Sequence, residues 1–207
     1  EISFTTREEG ETVTDFDGNV YRTVVIGTQT WMAENLKVTH YSNGDEIPHV
    51  TDILDWTSDT EGAYCYYDND IIRYKDTYGA LYNWYVVEDN RNVCPSGWHV
   101  PSDLERDVLI EYAGGTSVAG ARLKEAGPEH WGSANYSTDE YGFTALPGGS
   151  RNTDGTFGSL GRFGNFRTSV SYSSTYSYGY GMDTYTYNVS VGGVPHKTGS
   201  SIRCIKD

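Results

Sequence analysis

The chain has little positive charge and no long apolar run, and these absences exclude two classes of partner. It carries 15 Lys and Arg residues against 29 Asp and Glu residues, a formal net charge of −14. Proteins bind phosphates through clustered Lys and Arg, and because no basic stripe is present we do not expect a nucleic acid as partner. No apolar run approaches the roughly 18 residues of a membrane-spanning helix, so we expect no membrane span.

Short metal-binding and redox motifs are also absent. The cysteines Cys65, Cys94 and Cys204 form no C-x-x-C pair, which excludes a zinc ribbon and a thioredoxin-like motif. No histidine stands four residues from another, which excludes an H-E-x-x-H zinc site. The odd cysteine count leaves two interpretations open, namely one disulfide with a free thiol or three free buried thiols.

Glycine and tyrosine are what the chain has in excess. It contains 24 Gly and 18 Tyr, while 37% of its residues are hydrophobic. This composition is typical of a loop-rich domain that uses amphipathic rings as core and as surface, and it is unlike that of a helical bundle. Residues 1–11 are polar and charged, so we expect an N-terminal tail or linker followed by one domain over residues 12–207.

Local patterns predict an α+β domain with a few strands, two short helices and long loops. The turn Asp17-Gly18-Asn19 between two β-branched or aromatic runs predicts a hairpin. Residues 79–87 fit a helix or a strand, and the helical spacing of Leu81, Trp84 and Tyr85 favours the helix. The same signals predict a third strand over 30–33, a short strand over 62–67, a second helix over 118–126 and a closing strand over 201–205.

The clearest helix signal follows Pro101. Ser102 and Glu105 form a capping-box pattern at its start. Leu104, Val108 and Tyr112 fall on one face of the predicted helix, before a pair of glycines ends it.

Seven ordered blocks of the sequence are distinctive, namely TDFDGNVY (14–21), WMAENL (31–36), GAYCYYDND (62–70), YGALYNWY (78–85), CPSGWHVPS (94–102), LPGG (146–149) and SIRCIKD (201–207). Together they resemble the Fibrobacter succinogenes major paralogous domain family, which is common in surface proteins of Bacteroidetes. The resemblance implies a C-type-lectin-like fold, related to the formylglycine-generating-enzyme architecture. In that fold the N- and C-terminal strands meet, two helices flank small antiparallel sheets, and a long loop region projects from one side.

The resemblance also bears on the cysteines and on calcium. The terminal strand of C-type-lectin-like domains is often disulfide-linked toward the first helix, which implies a Cys94–Cys204 bond with Cys65 buried and free. Many C-type lectins bind Ca²⁺, and Asp68 and Asp70 are the candidate ligands here. However, the sugar-binding signatures Glu-Pro-Asn and Trp-Asn-Asp are absent, the EF-hand spacing is not met, and Asp beside a strand also forms turns. We therefore expect no cofactor, with a structural Ca²⁺ ion at these two residues as the open alternative.

The chain departs from the family in its last third. Members usually carry a Trp-Trp-Ser-Ser-Thr-like stretch where this chain has FRTSV (166–170), followed by SYSSTYSYGYG (171–181). Tyr, Ser and Gly are the residues of binding loops, and the region also resembles the variable region of C-type-lectin-like proteins diversified by retroelements. The candidate ligand-contacting residues are Arg167, Tyr172, Tyr176, Tyr178, Tyr180, Asp183, Tyr185, Tyr187, Asn188, Ser190 and His196.

The tyrosines have two interpretations. In strands of period two, Tyr176, Tyr178 and Tyr180 share one face, as do Tyr185 and Tyr187 in a second strand. Such a face either contacts a ligand or joins the core through cross-strand pairs. Residues 163–190 contain few aliphatic side chains with which to form a core, so we favour a contact surface.

These features favour a non-catalytic recognition domain over an enzyme. Formylglycine-generating activity needs a reactive cysteine pair late in the domain, where this chain has Cys204 alone, and no local nucleophile motif is present. A paired-carboxylate glycosidase site stays open. We expect a protein or glycan ligand on another cell or surface. We also expect an extracellular or cell-surface location, either lipid-anchored through a removed leader or on a phage particle. The alternatives are a structural or adhesive lipoprotein domain whose tyrosines pack internally, and an enzyme of the related fold.

Overall fold

The computed structural model describes residues 11–132 and 137–207, so residues 1–10 of the tail predicted over 1–11 lie outside the described residues. Within those ranges the protein is a mixed α/β structure made mostly of curled sheets. The strands are β1 (Thr12–Thr14), β2 (Val20–Ile26), β3 (Gln29–Met32), β4 (Tyr64–Cys65), β5 (Leu81–Tyr82), β6 (Trp98–His99), β7 (Gly148–Arg151), β8 (Phe157–Leu160), β9 (Phe163–Ser171), β10 (Tyr176–Asp183), β11 (Val189–Pro195) and β12 (Ile205–Lys206).

The helices are short and more numerous than predicted. They are α1 (Ile53–Ser58), α2 (Ile71–Tyr78), α3 (Trp84–Val87), α4 (Asp103–Tyr112) and α5 (Ala119–Leu123), with a 3₁₀ turn at Tyr67–Asn69. The prediction of two helices is therefore wrong for the described part of the chain, although α4 and α5 lie where it put them. None of the helices in the described ranges is long and apolar enough to cross a membrane.

The first sheet is antiparallel and brings the beginning and the end of the described chain together. Its strand order is β1-β2-β3-β12-β6, with Ile205 of β12 paired to Trp31 on one side and His99 on the other. The predicted hairpin is confirmed, because Asp15 accepts hydrogen bonds from the backbone N–H of Asn19 (2.9 Å) and the hydroxyl of Tyr21 (2.6 Å). The closing strand lies later than predicted, because β12 shares only Ile205 with the predicted range 201–205.

The second sheet contains the last third of the chain. Its order is β11-β10-β9-β7-β8, antiparallel except for the β7–β9 pair. The inner face of β9, β10 and β11 packs in a core cluster that includes Phe166, Tyr180 and Met182. On the opposite, outer face of the sheet, Asn165 of β9 is paired with Gly181 of β10. A separate small sheet pairs β4 with β5.

Residues 79–87 contain the short strand β5 and the one-turn helix α3, so the prediction of a single helix is wrong. Leu81 and Tyr82 pair with β4, and Asn83 then caps α3 by accepting from the backbone N–H of Val86 (3.3 Å). The same Asn83 side-chain oxygen accepts from the backbone N–H of Ala63 (3.1 Å). Pairing with a distant strand outweighs the local helical spacing because these side chains are buried on several sides.

The capping box of α4 is confirmed, but its predicted apolar face is not the buried one. Ser102 and Glu105 exchange the expected hydrogen bonds at the N-terminus of the helix. The row formed by Leu104, Val108 and Tyr112 is exposed, whereas Arg106, Leu109 and Ile110 are buried. The orientation of α4 is fixed in part by Asp103, which pairs with Arg106 (2.8 Å) and accepts from the Thr168 hydroxyl of β9 (2.6 Å).

Four buried cations hold the long loops in place. Lys124, Arg151, Arg167 and Arg203 are at most 1% exposed. Each donates to backbone carbonyls in loops or at the ends of strands. The accepting carbonyls are those of Val50, Thr51, Asp52 and Gly155 for Arg151, Phe143 and Thr144 for Arg203, Asp183 and Thr186 for Lys124, and Pro195 and Thr198 for Arg167. Because buried carbonyls must find donors, these side chains supply donors to the backbone where the regular strands end.

The cysteines form one disulfide and leave one free thiol, which is the first of the two interpretations of the sequence. Cys94 is bonded to Cys204, 110 residues later, and Cys65 is free and buried. The predicted pairing is confirmed. The bond fastens the segment just before α4 to the segment that leads into β12.

His99 gives the first sheet a pH dependence that can be measured. Its ring nitrogens bond to Glu105 (2.9 Å) and Asp207 (2.7 Å). Burial lowers the pKa of His99, but the two carboxylates outweigh burial and raise it above 6.5. A raised pKa in the folded state stabilises the protein fully below about pH 6.5, and this stabilisation is lost as the pH rises through the folded-state pKa. Since His99 is partly exposed, we expect less than about 1 kcal/mol.

Urea unfolding at pH 6 and pH 8.5 tests this expectation. The decrease in the free energy of unfolding between the two values should be smaller in His99→Gln, which keeps a hydrogen-bonding side chain but does not titrate. An equal decrease in both proteins would contradict the assignment to His99.

Candidate functional site

The predicted contact residues divide between the surface and the interior of the second sheet. Four tyrosines are exposed, with Tyr172 at 61%, Tyr176 at 43%, Tyr185 at 70% and Tyr187 at 53%. Asn188 and Ser190 are exposed as well, and Tyr178 and Asp183 are half-buried.

Arg167, Tyr180 and His196 lie in the interior, and we correct their assignment as ligand contacts. The Arg167 guanidinium is fully buried and donates to the Ser177 hydroxyl (2.5 Å) as well as to loop carbonyls. Burial lowers the pKa of Arg167 to about 9. Tyr180 stacks on Phe166 with ring centroids 5.2 Å apart, so this tyrosine has the core role that was the alternative interpretation. His196 is buried and stacks on the Trp84 ring at 5.3 Å.

The exposed tyrosines form two groups, and the prediction that Tyr185 and Tyr187 lie in a second strand is wrong. Tyr172 and Tyr178 pack edge-to-face at 5.1 Å, and a side chain at Gly193 would contact both Tyr172 and Tyr176. We call Tyr172, Tyr176 and Tyr178 the tyrosine cluster. Tyr185 lies beyond the far end of β10, in the loop rather than in a second strand. At about 3.3 Å per residue, the length of β10 puts the two groups on the order of 20 Å apart.

The loop between β10 and β11 is held from inside, while the side chains of residues 185–188 are exposed. Lys124 donates to the carbonyls of Asp183 (2.8 Å) and Thr186 (3.0 Å), and burial lowers the pKa of Lys124 to about 8. Helix α5 approaches closely at Gly120, where a side-chain carbon would lie 2.5 Å from the Asn188 carbonyl oxygen. The backbone of the loop is thus fixed by groups that do not reach the surface.

A groove with a glycine floor runs along the outer face of the second sheet. Gly179 pairs with Gly192, and Gly181 pairs with Ser190, so this part of the sheet has almost no side chains. The cavity over it has a volume of about 390 Å³. Its other lining side chains include Ser150, Asn152, Phe163, Asn165 and Thr198.

A second depression of about 340 Å³ continues the groove and shares Phe163 and Ser190 with it. Four predicted contact residues line this depression, namely Asp183, Tyr185, Asn188 and Ser190. Arg162 completes it, pairing with Asp183 (3.2 Å) and lying 5.7 Å from the Tyr185 ring centroid. We call the two depressions together the groove.

Sequence reasoning missed the residues that shape the groove. Phe163, Asn165 and Gly192 did not appear among the candidates. The signal that indicates them is the repeated glycine within β10 and β11, because glycine inside a strand often marks a place where another group approaches closely.

Asp68 and Asp70 have structural roles in the turn before α2. Asp68 adopts a left-handed backbone conformation (φ 54°), and Asp70 caps α2 by accepting from the backbone N–H of Arg73 (3.0 Å). Calcium binding by these two residues stays a prediction. In the described ranges, one three-residue group brings its metal-ligating atoms within 4.8 Å of one another; it consists of Glu125, Glu129 and His130.

The free thiol does not resemble a catalytic nucleophile. Burial raises the pKa of Cys65 to about 12. A thiol with such a pKa is almost entirely protonated at neutral pH and reacts slowly.

Removing exposed rings should leave the fold intact. We expect Tyr176→Ser and Tyr185→Ser each to change the free energy of unfolding by no more than about 0.5 kcal/mol, because surface substitutions lose few contacts. Tyr180→Ser, a matched change at a buried ring, should cost about 3 kcal/mol or more. Urea unfolding of the three variants measures the contrast, and similar losses at exposed and buried positions would contradict the division drawn here.

One family model matches most of the chain. The model of the Fibrobacter succinogenes major domain matches residues 24–206. No curated protein and no solved structure matches.

Proposed function

The chain belongs to the Fibrobacter succinogenes major domain family, and from this premise we propose that it is a non-catalytic recognition domain that binds its ligand through the outer face of the second sheet. One observation carries the proposal. The exposed contact side chains stand on a backbone that is fixed from inside by Arg167 and Lys124. A pre-organised backbone lowers the entropy that binding costs, and this is how binding loops gain affinity.

We propose further that the protein is not an enzyme of the formylglycine-generating type. Its late cysteine, Cys204, is bonded to Cys94, and its third cysteine is a buried thiol with a raised pKa. A pair of reactive cysteines is therefore not available in this state.

A C-type-lectin-like fold is part of the proposal. Its support is the position of β12 between β3 and β6, which joins the two ends of the domain, and the disulfide beside it. An experimental structure that superimposes on C-type-lectin-like domains along these strands would establish the fold, whereas a different connectivity would remove it.

We also propose that the exposed positions of this region vary between copies through a retroelement. If so, variation falls on Tyr172, Tyr176, Tyr185, Tyr187 and Asn188, and spares the buried framework. Sequencing the locus tests the idea: a reverse transcriptase gene and an adenine-mutated template repeat should lie nearby. Equal variation at buried and exposed positions would contradict it.

The proposed partner is a protein or glycan on another cell or surface, and the proposed location is extracellular, on the cell surface or on a phage particle. The Cys94–Cys204 bond supports an oxidising compartment. Labelling intact cells or particles with an antibody against the domain tests the location, and signal that appears only after lysis would contradict it.

A pair of triple variants tests the function itself. The purified protein is screened against a glycan array and a displayed protein library, and any ligand found is titrated. Asp183→Ala, Tyr185→Ala and Asn188→Ala combined should weaken binding by about a hundredfold, whereas Asp76→Ala, Asn90→Ala and Tyr112→Ala combined, exposed elsewhere, should not. No ligand in either screen, or equal losses in both variants, would favour the structural alternative.

A further inference from the structure

Three glycines form the floor of the groove, and the absence of a side chain has a different structural consequence at each of them. A side-chain carbon at Gly181 would lie 2.4 Å from the Phe163 ring, so this glycine makes room for the ring to lie flat on the sheet. At Gly179 the same carbon would lie 2.8 Å from a methyl group of Val194. At Gly192 nothing lies within 4 Å, so the absent side chain there leaves open space.

The groove contains no net charge although the chain as a whole is strongly acidic. Its charged lining residues, Arg162 and Asp183, pair with each other. The remaining polar groups include the carboxamides of Asn152, Asn165 and Asn188, together with Ser and Thr hydroxyls. These neutral groups both donate and accept, and they fit a ligand that is itself neutral and rich in hydroxyls.

Two aromatic rings stand beside these polar groups. Phe163 is shared by both depressions, and Tyr185 lines the outer one. An aromatic face packs on the apolar face of a sugar ring while neighbouring carboxamides bond its hydroxyls, so rings and amides along one trough match a carbohydrate chain. Each depression is at the lower end of the roughly 300–1,000 Å³ of small-ligand pockets, so the pair has room for more than one sugar ring.

The face of a sheet is a poor site for an extended peptide backbone. The N–H and C=O groups of β10 are used in ladders with β9 and β11 on its two sides. A peptide strand would instead add to the outer edge of the sheet at β11. The groove presents side-chain groups and open space, which favours a ligand that brings its own hydroxyls.

From this geometry we infer that the groove binds an internal stretch of an uncharged oligosaccharide chain without a metal ion. The inference rests on the proposed function and adds the ligand class to it. Independence from metal is expected because the groove offers one carboxylate, Asp183, and that carboxylate is paired with Arg162.

Two valine substitutions test the inference. The backbone of both glycines lines the groove, but a side chain at Gly192 would enter open space there, whereas a side chain at Gly193 would point to the tyrosine cluster. Neither glycine has a positive φ, and valine is favoured in strands, so both variants should fold. The probes are neutral hexasaccharides of β-1,3-glucan, β-1,4-glucan, xylan, mannan and galactan, titrated calorimetrically with and without EDTA. Thermal melting checks the fold of each variant.

We expect at least one hexasaccharide to bind, more tightly than its disaccharide and equally in EDTA. Gly192→Val should weaken this binding by about tenfold or more, and Gly193→Val should leave it within about twofold. No binding by any probe, loss of binding in EDTA, or equal effects of the two valines would overturn the inference. A protein ligand whose binding Gly193→Val weakens and Gly192→Val spares would also overturn it while leaving the recognition function standing. If neither the glycans nor the displayed proteins bind, both this inference and the proposed recognition function are wrong.

Discussion

Replacing Arg167 with alanine should lower the free energy of unfolding by about 3–5 kcal/mol. The change removes a fully buried guanidinium that donates to Ser177 and to the carbonyls of Pro195 and Thr198. It leaves these oxygens without donors in the interior and opens a cavity between β9 and the chain after β11. Urea unfolding followed by far-ultraviolet circular dichroism measures the loss.

Two further variants make this expectation specific. Arg162→Ala removes an exposed arginine that precedes β9. Its ion pair with Asp183 is partly exposed, so the substitution should lower the free energy of unfolding by less than about 1 kcal/mol. Arg167→Lys keeps the charge but not the fork of donors, so it should recover only part of the loss. If Arg167→Ala and Arg162→Ala cost the same, the framework role of Arg167 is wrong.

Removing the Cys94–Cys204 bond should be similarly costly. The bond closes a loop of 110 residues, and in the chain-entropy model such a loop contributes about 4–5 kcal/mol by restricting the unfolded chain. The double variant Cys94→Ala/Cys204→Ala should therefore unfold at much lower urea concentration than the oxidised parent protein. A reducing agent should bring the parent protein close to the double variant.

Cys65→Ala is the matched control for the bond. It deletes a buried sulfur but leaves the cross-link, so it should lose only the packing of one small side chain, about 1 kcal/mol, and should keep its sensitivity to reductant. Oxidised and reduced parent proteins that unfold within about 0.5 kcal/mol of each other would show that the bond contributes little.

Features with a local cause were predictable from the sequence. The hairpin before β2 follows from an Asp-Gly turn, and the start of α4 follows from a serine three residues before a glutamate. In both cases the residues that bond to each other are only a few positions apart, so the local sequence contains both partners of the interaction.

Features set by distant contacts were not predictable in this way. Nothing around Arg167 distinguishes it from an exposed arginine, because its acceptors lie on β10, at the end of β11 and in the loop that follows. Likewise, Tyr176 and Tyr180 lie on the same face of β10, but of the two only Tyr180 packs on Phe166 in the core. Composition indicated a contact surface, and the registers of three strands decided which side chains reach it.

The groove shows the same division. Asp183, Tyr185 and Asn188 were candidates because of their residue types, and the structure brings them together in one depression. Phe163 and Gly192 come from different strands and share the groove only through the register of β9, β10 and β11. The sequence alone does not show which residues pair across these strands, so it does not show that Phe163 and Gly192 line the same groove.

The central position of β12 in the first sheet has a consequence for biosynthesis. Until residues 205–206 leave the ribosome, β3 and β6 have no strand to join them, and the two halves of that sheet remain separate with open edges. Contacts between such distant parts of a chain form slowly. A nascent chain of this kind therefore remains incompletely folded until β12 has been synthesised, and because Cys204 lies just before that strand, the Cys94–Cys204 bond also forms late.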